Sequence, residues 1–131
     1  MATDIERELE RTTQMRGFRY GLHDFVAQLK GAEALKKLND NSKSNQKSLL
    51  DAKTKQLLEI VALVTQKDRI SHIQVHMHAA HKAGATPEEI LEVLDYVSGH
   101  IGNVAKITGL EAWRATFRPD IPTIDRVVEL R

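Results

Sequence analysis

Histidine is the residue type whose number and spacing stand out. The chain holds six, and five of them fall between His72 and His100. Helical phase sorts these. At about 100° per residue, His72 and His76 lie about 40° apart on a helix, with Ala79, Ala80 and Ala83 on the same side. Arg69 joins that stripe at the i, i+3, i+7 spacing if the helix begins there. His78 and His81, with Gln74, point the other way and read as a solvated face. Buried charge is costly unless paired, so an arginine and two histidines set against small residues point to a cavity that receives an anion. The guanidinium fork suits a carboxylate. An imidazole, with an unperturbed pKa of about 6.5, suits proton transfer near neutrality. The competing reading of His72 and His76 is a pair of satisfied interior histidines. A pair at i, i+4 can also bind a metal. Two ligands are not a site, and a third from His100, Asp68 or Glu59 is not forced by any spacing. No metal is therefore expected, with His72 and His76 as ligands kept as the alternative.

The elements that must position these side chains are helical. β-branched alternation is absent, and apolar residues recur at helical period. Thr3 or Asp4 caps a first helix that fades near Arg16-Gly17. Phe18, Leu22, Phe25, Val26 and Leu29 mark a second, which Gly31 ends or interrupts. Ala32, Leu35 and Leu38 mark a short third. Asn39 to Ser48, rich in Asn and Ser, reads as a loop. From Ala52 to Thr65 apolar residues occupy nearly every face, so that helix is expected to be buried in the core or in a subunit interface. Lys67-Asp68 breaks it. A helix from about Ile70 to Ala83 follows, with Gly84 at C′. Thr86-Pro87-Glu88-Glu89 then reads as a capping box, with Thr86 as N-cap, Pro87 at N1 and Glu89 at N3. Ser98-Gly99-His100 is expected to punctuate. A last helix runs from about Ile101 to Phe117, and the tail from Arg118 is expected to wrap a neighbour. The expected fold is all-α: a single domain over 1–131, a bundle of about six helices that forms oligomers. Within it, 1–48 holds the N-terminal helices, 49–117 the core and 118–131 the tail.

Bulk composition narrows the function classes. Nineteen basic residues face eighteen acidic ones in 131 residues, so the net charge of +1 offers no footprint for nucleic acid or an anionic membrane. There is no cysteine, which excludes thiolate nucleophiles, thiol peroxidase chemistry and disulfides. The charged N-terminus, Met1 to Glu10, does not read as a signal peptide, and no apolar run suits a membrane span. A cytoplasmic protein is the expectation.

The segment Arg69-Ile-Ser-His-Ile-Gln-Val-His-Met-His-Ala-Ala-His-Lys-Ala-Gly-Ala-Thr86, continuing through Pro87 to Leu94, resembles the core of the carboxymuconolactone decarboxylase and alkylhydroperoxidase D superfamily. Leu50 to Leu58 resembles the entry to that superfamily's first core helix, and Tyr96 and Gly99 match a further recurring element. The resemblance covers roughly Leu49 to Ala112; the first 45 residues and the tail match nothing placed. The peroxidase branch has two cysteines three apart and a histidine four residues after the second. Those positions fall here on Arg69, His72 and His76, so the redox pair is gone and the histidine is kept. The decarboxylase branch keeps that histidine as an acid/base residue and usually has an acidic residue where this chain has His72. Superfamily members also tend to carry a glutamate where this chain has Gln56, given one extra residue in the loop near Lys67; Glu59 is the alternative for that role. The resemblance further implies homotrimers or homohexamers with pockets at or near interfaces, and a place in aromatic compound catabolism.

These readings combine into an expected activity. A cofactor-independent lyase, decarboxylase or related isomerase acts on a small carboxylate- or lactone-bearing substrate. His76 moves the proton, with general acid–base help worth roughly 10² to 10⁴ in rate. His72 orients His76 or donates to a developing enolate. Arg69 anchors the anionic substrate, with Glu59, His100 and Tyr96 as further substrate contacts. No organic cofactor is needed. The alternatives are a metal-dependent enzyme using the two histidines as ligands, and a non-catalytic member that binds a small ligand.

Overall fold

The computed structural model describes residues 2–42 and 48–131, and the described residues form seven helices and no strand. They divide into two compact units, Met1–Ser48 and Leu49–Arg131.

The N-terminal unit holds α1 (Asp4–Arg16), α2 (Gly21–Lys30) and α3 (Ala32–Ser42). Thr3 opens α1 with a full capping box: its hydroxyl accepts from the Glu6 N–H, and the Glu6 carboxylate accepts from the Thr3 N–H. Gly17, at φ 80°, closes that helix in the left-handed region. Leu9, Ala27 and Leu35 are buried between the three helices, with Ile5, Val26 and Leu38 packed against them. The core also contains polar groups. Asn39 is fully buried and donates to Thr12 Oγ1 at 2.8 Å and Glu8 Oε1 at 3.2 Å, while Arg16 donates to its Oδ1 at 3.0 Å. This network explains a departure from expectation. The Asn- and Ser-rich stretch from Asn39 does not leave the helix there, because α3 continues through Ser42; residues 43–47 lie outside the described residues. Asparagine disfavours a helix when its amide competes for the local backbone. Here α1 satisfies the amide instead.

The C-terminal unit holds α4 (Ala52–Thr65), α5 (Ile70–Lys82), α6 (Pro87–Ile101) and α7 (Asn103–Phe117). Ile60, Leu63, Val64, Ile73, Met77, Ile90 and Leu94, with Ala80, Ala105 and Ala112, make one buried cluster. Gly109 lets α7 approach closely: a Cβ there would stand 2.9 Å from Leu94 Cδ2 and 3.1 Å from Val64 Cγ1. Polar ties fix the start of α6. Thr86 and Glu89 form the expected capping box, Lys53 pairs with Glu89 at 2.7 Å, and Trp113 Nε1 donates to the Pro87 carbonyl at 2.8 Å. The end of α5 is a Schellman motif, with Ala85 N–H on Ala80 O, Gly84 N–H on His81 O, and Gly84 at φ 109°. His81 is exposed, as its phase implies, and also takes part in this ending. Its Nδ1 lies 2.9 Å from the Ala85 carbonyl and its ring meets Phe117 edge-on.

One more expectation is corrected. Ser98-Gly99-His100 does not interrupt α6, which runs to Ile101 and stops at Gly102, φ 90°. The Ser98 hydroxyl bonds back to the Asp95 carbonyl, and a single glycine weakens a helix by only about 1 kcal/mol, less than the packing of Ile90 and Leu94 supplies. Within one chain α4 keeps part of its surface open: Leu58 is 56% exposed, and Ala62 and Thr65 are exposed beside it. The tail, lacking helix after Phe117, folds back on its own α7. Glu111 accepts from Thr123 Oγ1 and from the Ile124 N–H at 2.9 Å each, and Arg114 donates to the Ile121 carbonyl at 2.6 Å. Among the described residues, no helix is long and apolar enough to cross a membrane.

Candidate functional site

The histidine pair lies between α4 and α5. The turn that joins these helices sets its geometry. α4 ends in a Schellman motif, with Asp68 N–H on Leu63 O at 3.1 Å and Lys67 N–H on Val64 O at 3.0 Å. Lys67 occupies the left-handed position, φ 54°, that glycine normally takes. This sharp exit leaves Asp68 at the head of α5. One of its carboxylate oxygens accepts from the Arg69 N–H at 2.7 Å; the other lies 2.6 Å from His72 Nδ1. The Arg69 N–H first, and the His72 hydrogen bond after it, hold the Asp68 carboxyl below the usual range. A carboxylate can only accept, so His72 carries its proton on Nδ1.

One turn on, His76 is held by α4. Its Nδ1 lies 2.9 Å from Gln56 Oε1, and its Nε2 lies 3.4 Å from Glu59 Oε1. Gln56 and Glu59 are i, i+3 neighbours, so both reach the same strip of α5. The amide carbonyl fixes the proton on Nδ1. Nε2 and a carboxylate oxygen then face one another, which is favourable only with a proton between them. The His72 and His76 rings meet edge-on with centroids 5.0 Å apart. The His76 side chain is 19% exposed, deeper than either His72 or Glu59.

The structure thus brings together His72, His76 and Glu59 from the sequence expectations. It adds Gln56, present in the sequence reading only through the resemblance, and Asp68, which had been considered only as a metal ligand. The signal for Asp68 was legible in principle: an aspartate four residues before a histidine, across the start of a helix. Arg69 is not on the stripe. It is the extended N-cap residue of α5, so helical phase does not place its side chain, which is exposed; its charge acts on Asp68 from the solvent side. His100 lies in the exposed last turn of α6 and Tyr96 is 82% exposed. No hydrogen bond, ion pair or ring contact joins either to the histidine pair among the described residues. Nor do three His, Asp or Glu side chains among the described residues gather as a metal would require.

Chemically the arrangement suits proton transfer: two imidazoles, each with Nδ1 on an oxygen acceptor, and His76 with Nε2 on a carboxylate as well. Residues 30–115 match the model of the carboxymuconolactone decarboxylase family, so the match reaches back beyond the sequence resemblance to take in α3. No curated protein and no solved structure matches the chain. With a family match spanning most of its length, from α3 through nearly all of α7, the chain belongs to the carboxymuconolactone decarboxylase family.

Proposed function

We propose that this protein is a cofactor-free lyase or isomerase that moves a proton beside a carbonyl of a small carboxylate- or lactone-bearing substrate. One observation carries the proposal: His76 is held at Nδ1 by Gln56 while its Nε2 faces Glu59 at 3.4 Å. In decarboxylation, the C–C bond electrons pass into an enolate, and His76 Nε2 returns a proton to carbon. In isomerisation, the same atom removes a proton and restores it at another carbon. Between events the proton stays on the imidazole, whose positive charge Glu59 faces.

This reading moves the orienting role away from His72. Gln56 orients His76; His72, fixed by Asp68, is the second proton carrier or the enolate donor. With Glu59 and Asp68 both acidic, the ground beside the two histidines repels a carboxylate. The substrate's own carboxylate therefore belongs at Arg69, on the solvent side, where bidentate binding is geometrically free. His100 and Tyr96 have no role in this scheme within one chain. Water must be excluded for such chemistry, and the uncovered Leu58, Ala62 and Thr65 face of α4 supports assembly into a homotrimer or homohexamer that closes the site.

The test is a panel of small unsaturated and lactone carboxylic acids, scored for CO₂ release and for deuterium uptake from D₂O. Turnover that His76→Gln abolishes without changing the oligomer supports the reading. A variant as active as the parent removes His76 from the chemistry. Ligand-induced stabilisation across the panel without any product favours a binding protein instead.

A further inference from the structure

We propose that the C-terminal segment builds a second small-molecule site in the C-terminal unit, one that takes a small organic cation: a short aliphatic body carrying an ammonium group. A cavity of about 380 Å³ lies where the tail crosses α7 near the start of α5. Its lining is Ile70, the first residue of α5; Ile107, Thr108 and Glu111 on one face of α7; and Ile124 and Asp125 of the tail. That volume lies within the range occupied by small ligands. Ile70 precedes His72 by two residues, about 200° around the helix, so the cavity opens on the side of α5 away from the histidine pair.

The wall is built rather than incidental. The tail has no helix to hold it, yet Glu111 and Arg114 fix it at three points, through Ile121, Thr123 and Ile124. Glu111 is thereby spent: Arg114 foremost, and then the tail, hold its carboxyl at about 2. Thr108 donates to the Val104 carbonyl, which leaves its oxygen only able to accept. Asp125 gives its backbone N–H to Thr123 Oγ1, and among the described residues no cation pairs with its carboxylate. Three isoleucines therefore form apolar walls, the polar groups are acceptors, and one unspent negative charge stands at the edge. That chemistry selects a donor with positive charge on an apolar body and rejects an anion. Ile124 and Asp125 lie beyond residue 115, where the family match stops, so the site belongs to this chain's own tail.

The experiment titrates the full ¹⁵N-labelled protein with hexylammonium, and separately with hexanoate and hexanol, following amide shifts. The expected result is saturable shifts at Ile107, Thr108, Ile124 and Asp125 with hexylammonium, and binding of hexanoate weaker by about tenfold or more. Asp125→Asn should weaken hexylammonium about fivefold, the scale of an exposed charge pair. Glu111→Gln, which frees the tail, should abolish the shifts at Ile124 and Asp125. Equal affinity for the cation and the anion, no saturable shift up to the solubility of hexylammonium, or shifts centred on His72 and His76 would each overturn the proposal.

Discussion

Replacing Gly109 by alanine tests how α7 sets the position of α4, the helix that carries Gln56 and Glu59. A new Cβ would meet Leu94 Cδ2 at 2.9 Å and the two Val64 γ-carbons at 3.1 and 3.3 Å. Leu94 can swing its far end, but Val64 is β-branched and stiff at χ1, so the helices must part. Overpacking of this kind costs about 1–3 kcal/mol, and the better helix propensity of alanine returns about 1 kcal/mol. The net expectation is a loss of about 1 kcal/mol, seen as a fall in Tm of about 3–5 °C. Gly99→Ala is the internal control. Gly99 lies inside α6, is exposed, and would meet nothing within 4 Å. That change should stabilise by about 0.5–1 kcal/mol. Thermal and urea unfolding of both variants decide the matter. Two variants with the same shift, or a Gly109→Ala protein more stable than its parent, would refute the packing argument.

Other expectations follow from single contacts. Asn39→Ala should destabilise the N-terminal unit by about 2 kcal/mol, because it removes the bonds that the buried amide makes to Thr12, Glu8 and Arg16; hydrogen exchange of α1 and α3 reads it. His23 is buried, its Nδ1 has no hydrogen-bond partner among the described residues, and burial first, then Arg16, push its pKa down against a weaker upward pull from Asp24. A depressed histidine binds fewer protons folded than unfolded, so its contribution is present above the ordinary value of about 6.5 and is lost as pH falls below it. Acidification should therefore loosen α2 before α6, and His23→Leu should flatten that dependence. Lys67→Gly should stabilise by about 1 kcal/mol by relieving the left-handed lysine, while Asp68 keeps its place; an unchanged or lower Tm would contradict the Schellman assignment.

Where the sequence was a good guide, a local rule and the tertiary packing agree. The Thr86–Glu89 box, the bounds of α4, and the shared face of His72 and His76 all follow from spacing within one helix. Where it misled, a distant partner overrode the local rule. Asn39 stays helical because α1 satisfies its amide, and Gly99 because Ile90 and Leu94 hold α6 in place. Arg69 left the stripe because α5 begins one residue later than the phase argument needed. The two partners of His76 sit seventeen and twenty residues upstream of it, and no periodicity links them to it. Only the docking of α4 on α5 shows that Gln56 and Glu59 take one ring nitrogen each, rather than competing for the same role.

The central claim is that Gln56 holds the Nδ1 proton of His76, so that Nε2, facing Glu59, is the nitrogen that gains and loses the working proton. The ¹⁵N chemical shifts of the His76 ring, recorded in its neutral form, test this without knowledge of the substrate. The account predicts the Nδ1–H tautomer, lost or mixed in Gln56→Leu. A neutral His76 protonated on Nε2 in the parent protein would contradict it.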